Sequence, residues 1–272
     1  MISELLNIAT PILIALIGVG LVSGLLGGML GIGGGVVIVP CLIVLFEATG
    51  QHADVTTVVA VATSLACIVF TSLSATATQI RAGKVRWDIV RRMLAFFVIG
   101  SFTAGVLIPY LPAATLRGLI GLFLVFVGVV MLTNWKPAAH RTLPGVLGAS
   151  SVGFGGGLVA GTAGIAGGNV IVPTLIYFNV PVHNATATSS AMGVAIAASG
   201  ALAYMFFHPQ DANGLQGYVD LRSFLLITIG AVVAAPVGVK LAHRVPADQL
   251  KKGFGLLLLL VSARMLWTAV VH

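Results

Sequence analysis

Hydrophobic residues fill most of the chain in runs that recur at nearly regular intervals, and charged residues are confined to the short stretches between them. Most runs approach the roughly 20 residues that an α-helix needs to cross a bilayer. One run in each half is shorter and begins at a cluster of glycines. We therefore predict ten helical segments, five in each half, at 8–30, 33–47, 56–80, 89–110, 114–134, 143–163, 167–180, 185–207, 222–243 and 253–270.

The two short segments carry almost the same decapeptide. Gly31–Pro40 reads GIGGGVVIVP and Gly164–Pro173 reads GIAGGNVIVP, with identity at eight of ten positions and an offset of 133 residues. Other landmarks recur in the same order, including ATSLA at Ala62–Ala66 and ATSSA at Ala187–Ala191. Several landmarks in one order indicate a duplicated unit. The predicted units are a first repeat over 1–135, a linker over 136–142 and a second repeat over 143–272, within one membrane domain.

Loop charges indicate how the two repeats are related. The loop near Arg81 and Lys84 is strongly basic, its counterpart near Asp211 and Asp220 is slightly acidic, and one loop further on the imbalance reverses. Loops rich in Lys and Arg stay in the cytoplasm, so equivalent loops are expected on opposite faces of the membrane. Five crossings in each repeat produce this inversion and put both termini outside. The segments predicted to be cytoplasmic are the Lys84 loop, the 136–142 linker and the Lys251 loop.

Composition narrows the class to an all-α polytopic membrane protein. Of 272 residues, 58% are hydrophobic and 8% are charged, with a mean hydropathy of +1.09, far outside the range of soluble domains. The net charge of +7 lies between the spans, so we attribute it to contact with anionic lipid and not to nucleic acid. The spans contain no HExxH motif or other catalytic arrangement, and we expect no enzyme activity, metal or cofactor. Cys41 and Cys67 are expected to be small core residues.

The glycine clusters are the first candidate site. Three consecutive glycines should interrupt a helix, and a broken backbone is tolerated in hydrocarbon only where protein or a wet cavity surrounds it. Amide groups at helix starts bind anions, so two broken helices that face each other would form an anion cradle. Close helix packing through small residues is the competing interpretation. The backbone groups predicted to bind substrate are those of Gly33, Gly34, Gly35, Gly167, Gly168 and Asn169.

Polar side chains near the glycines form a second candidate set. Asn169 stands where the first repeat has Val36, and its side chain either binds substrate or caps its own helix. The hydroxyl groups of the two ATS motifs either donate to an anion or bond to carbonyls of their own helices. The hydroxyl residues predicted to bind substrate are Thr63, Ser64, Thr188, Ser189 and Ser190.

Acidic residues are absent from the middle of every predicted span. Carboxylates are the usual carriers of cations and protons inside membranes, so the pattern argues against a cation transporter. His52 and His183 follow the two short segments, and histidine is the residue type most often used as a pH switch. They are either coupling residues or ordinary loop histidines. Arg264 lies close enough to the C-terminus for its side chain to reach the membrane interface.

The complete pattern resembles the TauE/SafE sulfite exporter family, also called the sulfonate uptake-permease family. The residues that carry the resemblance are GGMLGIGGGVVIVP followed by ATSLA, and AGTAGIAGGNVIVP followed by ATSSA, and it extends over essentially the whole chain. It implies a multi-pass carrier of a bacterial inner membrane, secondary active, for anions such as sulfite, thiosulfate or small organosulfonates. Ala166 in place of Gly33, and Ser190 in place of Leu65, are mild departures between the repeats.

Two functional hypotheses follow. In the first, a small sulfur-containing anion binds between the repeats and crosses by alternating access, with or without proton coupling, in a monomer or a homodimer. In the second, the protein is an anion channel or a carrier for other small organic acids. A purely structural membrane subunit would not require two buried helix breaks.

Overall fold

The computed structural model describes residues 2–31, 33–52, 55–133, 145–207, 215–242 and 247–271, and these form an almost wholly helical protein. Each predicted segment corresponds to one helix, and the 136–142 linker lies outside the described residues. The helices are α1 Ile2–Leu30, α2 Gly35–Thr49, α3 Thr56–Arg81, α4 Trp87–Leu107, α5 Ala113–Thr133, α6 Val146–Ala163, α7 Gly168–Tyr177, α8 Val182–Phe206, α9 Leu221–Leu241 and α10 Ala247–Val271.

Six helices in the described part of the chain are long and apolar enough to cross a membrane, namely α1, α3, α4, α5, α8 and α9. The two helices that begin at glycine clusters, α2 and α7, are shorter, as the sequence predicts. Within α10, Leu258–Ala269 forms a shorter apolar helical stretch. The protein is therefore an all-α, multi-pass membrane protein.

Two local features were not predicted from the sequence. The fourth helix ends at Leu107, and a 3-10 turn follows at Ile108–Tyr110 because Pro109 has no N–H to continue the α-helical ladder. A short antiparallel hairpin, β1 Leu215–Gln216 and β2 Val219–Asp220, precedes α9. It turns at Gly217, whose φ of 59° is in the left-handed region, and it ends at the residue that caps α9.

The glycine clusters break the chain between α1 and α2 and again between α6 and α7. In the first break Gly33 and Gly34 have φ of 71° and 82°, and in the second Gly164 and Gly167 have φ of 67° and 73°. Residues with a Cβ avoid this left-handed conformation, whereas glycine adopts it without steric strain. Each short helix then begins with its first residue directly after a left-handed glycine.

Helices from different halves pack side by side in the same direction. Along α1 and α9, Gly20 faces Ile227 and Gly28 faces Ala235, so both helices advance together. The α4 and α6 pair is also parallel, as is shown by the contacts of Gly153 with Phe96, Gly157 with Phe97 and Gly161 with Ala104. Small residues allow these backbones to approach closely.

Two further helix pairs from different halves run in opposite directions. Along α3 and α8, Ser72 lies near Gly193 and Leu65 near Gly200, which requires an antiparallel arrangement. Along α5 and α10, Gly121 faces Leu266 and Gly128 faces Leu259. The core therefore consists of interleaved helices from both halves, and neither half packs only against itself.

Candidate functional site

The two glycine breaks meet at the centre of the protein. A methyl group at Gly33 would lie 2.5 Å from the Cβ of Ala166, and one at Gly35 would collide with the carbonyl of Gly164. The first break also contacts α3 through Ile68 and Ser72, which are near the midpoint of that helix. All the described residues of the two breaks are buried. The duplicated decapeptides thus form one central junction, which we call the glycine junction (Gly31, Gly33–Gly35 and Gly164–Gly168).

Two helix starts point their amide groups toward this junction. The carbonyl of Gly34 accepts from Val37 at 3.0 Å and Ile38 at 3.2 Å, and the carbonyl of Gly167 accepts from Val170 at 2.9 Å and Ile171 at 2.7 Å. The amides of the residues that come before these first donors in each helix have no acceptor within their own helix. They belong to Gly35 and Val36 in α2 and to Gly168 and Asn169 in α7. Such helix starts carry a partial positive charge that favours anions.

Unpartnered polar side chains lie beside the glycine junction. Ser72 is 1% exposed, and its Oγ would be 3.2 Å from a methyl group at either Gly33 or Gly193. This Oγ, the Oγ1 of Thr76 and the Nδ2 of Asn169 are buried and have no hydrogen-bond partner. Buried polar groups normally find partners, so these three atoms are available to a polar ligand.

The hydroxyl groups of the two ATS motifs hold the junction together. Ser64 donates to the carbonyl of Gly164 at 2.8 Å, and Ser189 donates to the carbonyl of Gly31 at 3.1 Å. Each serine belongs to one half and each acceptor to the other, so the two bonds are reciprocal. They satisfy carbonyls that the helix ends leave open. Ser64 and Ser189 therefore hold the glycines of the two breaks in place.

The remaining predicted hydroxyl residues also have protein partners. Thr63 accepts from the amide of Asp220 at 3.0 Å, and Thr188 accepts from the amide of Arg86 at 3.0 Å. These bonds are again reciprocal, because each threonine binds the residue just before a helix of the other half: Asp220 precedes α9, and Arg86 precedes α4. Ser190 donates to the carbonyl of Thr186 within its own helix at 3.1 Å. Ser190 thus makes the bond to its own helix that the sequence offered as one alternative, whereas the partners of Thr63 and Thr188 in the other half were not predicted.

The predicted coupling histidines are far from each other and outside the glycine junction. His52 lies between α2 and α3, where its ring contacts Phe46 edge to face with centroids 5.1 Å apart. His183 is exposed in the first turn of α8. Since α3 and α8 run antiparallel, the starts of these helices, and hence the two histidines, lie at opposite ends of the protein.

A charged cluster near the end of α2 was missed by the sequence analysis. Glu47 accepts from Arg264 at 3.0 Å and lies 3.9 Å from Arg117. The Nε of Arg117 also donates to Thr57 at 3.2 Å. Arg264 therefore joins α10 to α2, in addition to lying near the C-terminus. No short-range signal could reveal a pair that is 217 residues apart.

Among the described residues, no group of three or more His, Cys, Asp or Glu side chains comes together as a metal site would require. The polar groups at the glycine junction are instead amides and hydroxyls. Neutral hydrogen-bond donors of this kind can bind an anion with several oxygens without a fixed positive charge.

Comparison with known proteins shows which family this sequence matches. Residues 16–265 match the model of the family described as sulfite exporter TauE/SafE. A probable membrane transporter protein of Haemophilus influenzae is 28% identical over 264 residues, which are 94% of this chain and 98% of the relative. Probable membrane transporter proteins of Methanocaldococcus jannaschii and Bacillus subtilis (YunE) are 26% and 25% identical, covering 87% and 94% of this chain and 88% and 98% of their own lengths. No solved structure shows a significant match.

Proposed function

The chain belongs to the sulfite exporter TauE/SafE family of membrane transporters, and we propose that it carries small sulfur-containing anions by secondary active transport. The substrates would be sulfite, thiosulfate or short organosulfonates, and the membrane a bacterial inner membrane. One observation carries the proposal, namely that two glycine-broken helix starts converge at one buried point. The unpartnered donors there, on Ser72 and Asn169, suit a multi-oxygen anion that is bound and then released.

We further propose that the two halves are inverted repeats. The support comes from helices that occupy equivalent places in the two halves. Two such pairs, α3 with α8 and α5 with α10, pack antiparallel. In addition, α1 runs parallel to α9, and the counterparts of these two helices, α6 and α4, also run parallel to each other. This cross-pairing is expected when one half is turned over relative to the other in the membrane.

The orientation that we propose follows from the charges at the two ends of the bundle. The end where α3 and α9 finish has far more basic residues than the other, and basic ends favour the cytoplasm. The basic residues of the described segments at this end are Arg81, Lys84, Arg86, Arg91, Arg92, Lys240 and Lys252, which are accompanied by Asp88. Those at the opposite end are Arg117, Arg222 and Arg264, which are accompanied by Glu47 and Asp220.

In this scheme the anion binds at the glycine junction, and one half rocks against the other to expose it alternately to the two faces. Each helix start would contribute amides from its own half, so both halves must hold the anion at once. Proton coupling, if it operates, would use His52 on the outer face and His183 on the inner face.

The test is uptake into proteoliposomes with labelled sulfite, thiosulfate and methanesulfonate, each with and without a pH gradient. We expect saturable uptake of at least one anion and competition among the three. If none of them moves or competes, the proposed substrate class is wrong. Conductance that does not saturate would instead identify an anion channel, and competition only by small carboxylates would identify a carrier of organic acids.

A further inference from the structure

One stripe of α3 has three polar residues where the same stripe of its counterpart helix has two alanines and a tyrosine. Ser72, Thr76 and Gln79 follow one another at helical spacing and are all buried. Aligning the ATS motifs, with Ala62 opposite Ala187, sets the equivalent positions in the second half. The residues at those positions in α8 are Ala197, Ala201 and Tyr204.

The two hydroxyl groups of this stripe lack the partners that other hydroxyls in the same helix have. Thr71 donates to the carbonyl of Cys67 at 3.0 Å, and Thr78 donates to the carbonyl of Ser74 at 3.3 Å. These are the usual bonds to the preceding helical turn. Ser72 and Thr76 are 1% and 7% exposed, and neither has a hydrogen-bond partner. Leaving two adjacent buried hydroxyls unsatisfied is unfavourable unless a ligand reaches them.

The stripe leads from the glycine junction to the basic end of the protein. Ser72 touches the junction at Gly33, and each following residue lies about one helical turn further toward Arg81 at the end of α3. The register against α8, with Ser72 beside Gly193 and Leu65 beside Gly200, puts Thr76 at the level of Ser189. Ser189 is the serine that secures Gly31.

The counterpart stripe on α8 leads to the opposite end and offers no hydroxyl beside the junction. Ala197 and Ala201 are buried and apolar. Tyr204 is fully buried, and its hydroxyl is already donated to the carbonyl of Gly161 at 3.3 Å. The two halves thus differ at the place where their symmetry would otherwise supply two equivalent paths.

We propose that Ser72 and Thr76 line a one-sided path along which an oxyanion moves between the glycine junction and the basic end of the protein. The identity of the anion rests on the proposed function, whereas the one-sidedness rests on the hydroxyl stripe alone. Basic residues at the end of α3 raise the local concentration of anions. Neutral hydroxyls then replace water as donors without trapping the anion. The α8 stripe serves as an apolar packing surface.

The decisive experiment compares cysteines at the two symmetry-related positions. Thr76→Cys and Ala201→Cys are treated in sealed vesicles of either orientation with the anionic reagent 2-sulfonatoethyl methanethiosulfonate. The unmodified protein, with Cys41 and Cys67, supplies the background. We expect the cysteine at 76 to react from the basic face at least about tenfold faster than the cysteine at 201 reacts from either face. Equal rates, or faster reaction at 201, would overturn the one-sided path.

A second variant measures the path without any labelling. Ser72→Ala should raise the KM of the transported anion about tenfold, since a hydrogen bond to a charged group is lost. Its thermal unfolding temperature should stay the same or rise, because an unsatisfied hydroxyl is removed. A drop in unfolding temperature with an unchanged KM would contradict the proposal.

The two proposals fail separately. Cysteine labelling is measured without substrate, so a clear difference between positions 76 and 201 supports the path whatever anion is carried. Failure of sulfite, thiosulfate and methanesulfonate to move would refute the substrate class alone. The KM comparison uses whichever anion the liposomes transport.

Discussion

The two short helices begin with nearly the same sequence, yet their surroundings differ. In α2 the whole stretch from Gly35 to Pro40 is buried, together with Leu42, Ile43 and Phe46. In α7 the buried residues are Gly168, Ile171 and Leu175. Two similar local breaks therefore have unequal packing environments. We expect α7, which has fewer buried side chains, to move more readily than α2 when the two halves rearrange.

The far ends of the two helices differ as well. Glu47 ties the last turn of α2 to Arg117 of α5 and Arg264 of α10. The same offset that aligns the decapeptides places Val180 opposite Glu47, and a valine cannot form such a tie. This charged cluster is a second physical reason to expect that α2 is held more firmly than α7.

The strongest test of the comparison replaces the left-handed glycine that precedes each helix. A methyl group at Gly34 would lie 2.5 Å from the backbone carbonyl of Ser23, which cannot easily shift. A methyl group at Gly167 would lie 3.1 Å from the flexible end of Ile171. We expect Gly34→Ala to destabilise the fold by about 3 kcal/mol or more, and Gly167→Ala by about 1–2 kcal/mol, chiefly from backbone strain.

Thermal unfolding of the two alanine variants in the same detergent gives the measurement. Both glycines have a positive φ, of 82° and 73°, so each variant controls for the backbone strain in the other. Equal losses in stability would show that the two turns are packed equally tightly and would contradict the expected difference between α2 and α7.

A smaller effect is expected from releasing the end of α2. Glu47→Gln removes the charge that two arginines share, and we expect a loss of about 2 kcal/mol, within the range for hydrogen bonds to charged groups. Amide hydrogen exchange should rise in α2 and not in α7. The control is Asp88→Asn, which breaks a 2.7 Å ion pair with Arg86 at the exposed surface and should cost about 0.5 kcal/mol or less.

The outcome that would refute this role is faster exchange spread evenly over both short helices. Such a result would mean that Glu47 stabilises the whole bundle and does not hold α2 in particular.

The smallest effect on stability is expected when α7 is made more like α2. Asn169→Val restores the residue of the first repeat, and since the Nδ2 of Asn169 has no partner, stability should change by about 0.5 kcal/mol or less. Transport should nevertheless weaken, with a rise in KM, because a donor near the junction is lost. Asn184→Ala is the matched control, since its Nδ2 donates to the carbonyl of Lys84 at 2.8 Å and its loss should cost about 1 kcal/mol.

Thermal unfolding and uptake by the same preparations would measure both variants. A large stability loss in Asn169→Val, with unchanged uptake, would show that the amide is a structural cap and not part of the anion site.

Much of the helical architecture could be predicted because the membrane imposes a simple pattern. Apolar runs of the right length fix the helices, and the glycine decapeptides fix the breaks, since few other sequences tolerate a left-handed turn in hydrocarbon. The pairing of α1 with α9 could not be predicted. The pairing depends on small residues such as Gly20 and Gly28. Their spacing favours close packing but does not specify which helix is the partner.

The candidate site could be predicted only in part. Ser64 and Ser189 stand out in the sequence because their motif is repeated, and the structure places both at the glycine junction as hydrogen-bond donors to the opposite half. Ser72 carries no motif, and within α3 it looks like any other helical serine. The only signal was its replacement by Ala197 in the second repeat, which gains meaning once the partners of neighbouring hydroxyls are known.

The reciprocal serine bonds have a consequence for how the chain is made. The carbonyl of Gly31 accepts a hydrogen bond from Ser189, a residue that is synthesised 158 residues later and lies on a helix of the other half. During translation the first half must therefore enter the membrane with its turn incomplete, and it gains its partner only when α8 has been inserted. A ribosome stalled before Ser189 would leave an intermediate of seven complete helices, α1–α7, in which the carbonyl of Gly31 has no hydroxyl partner.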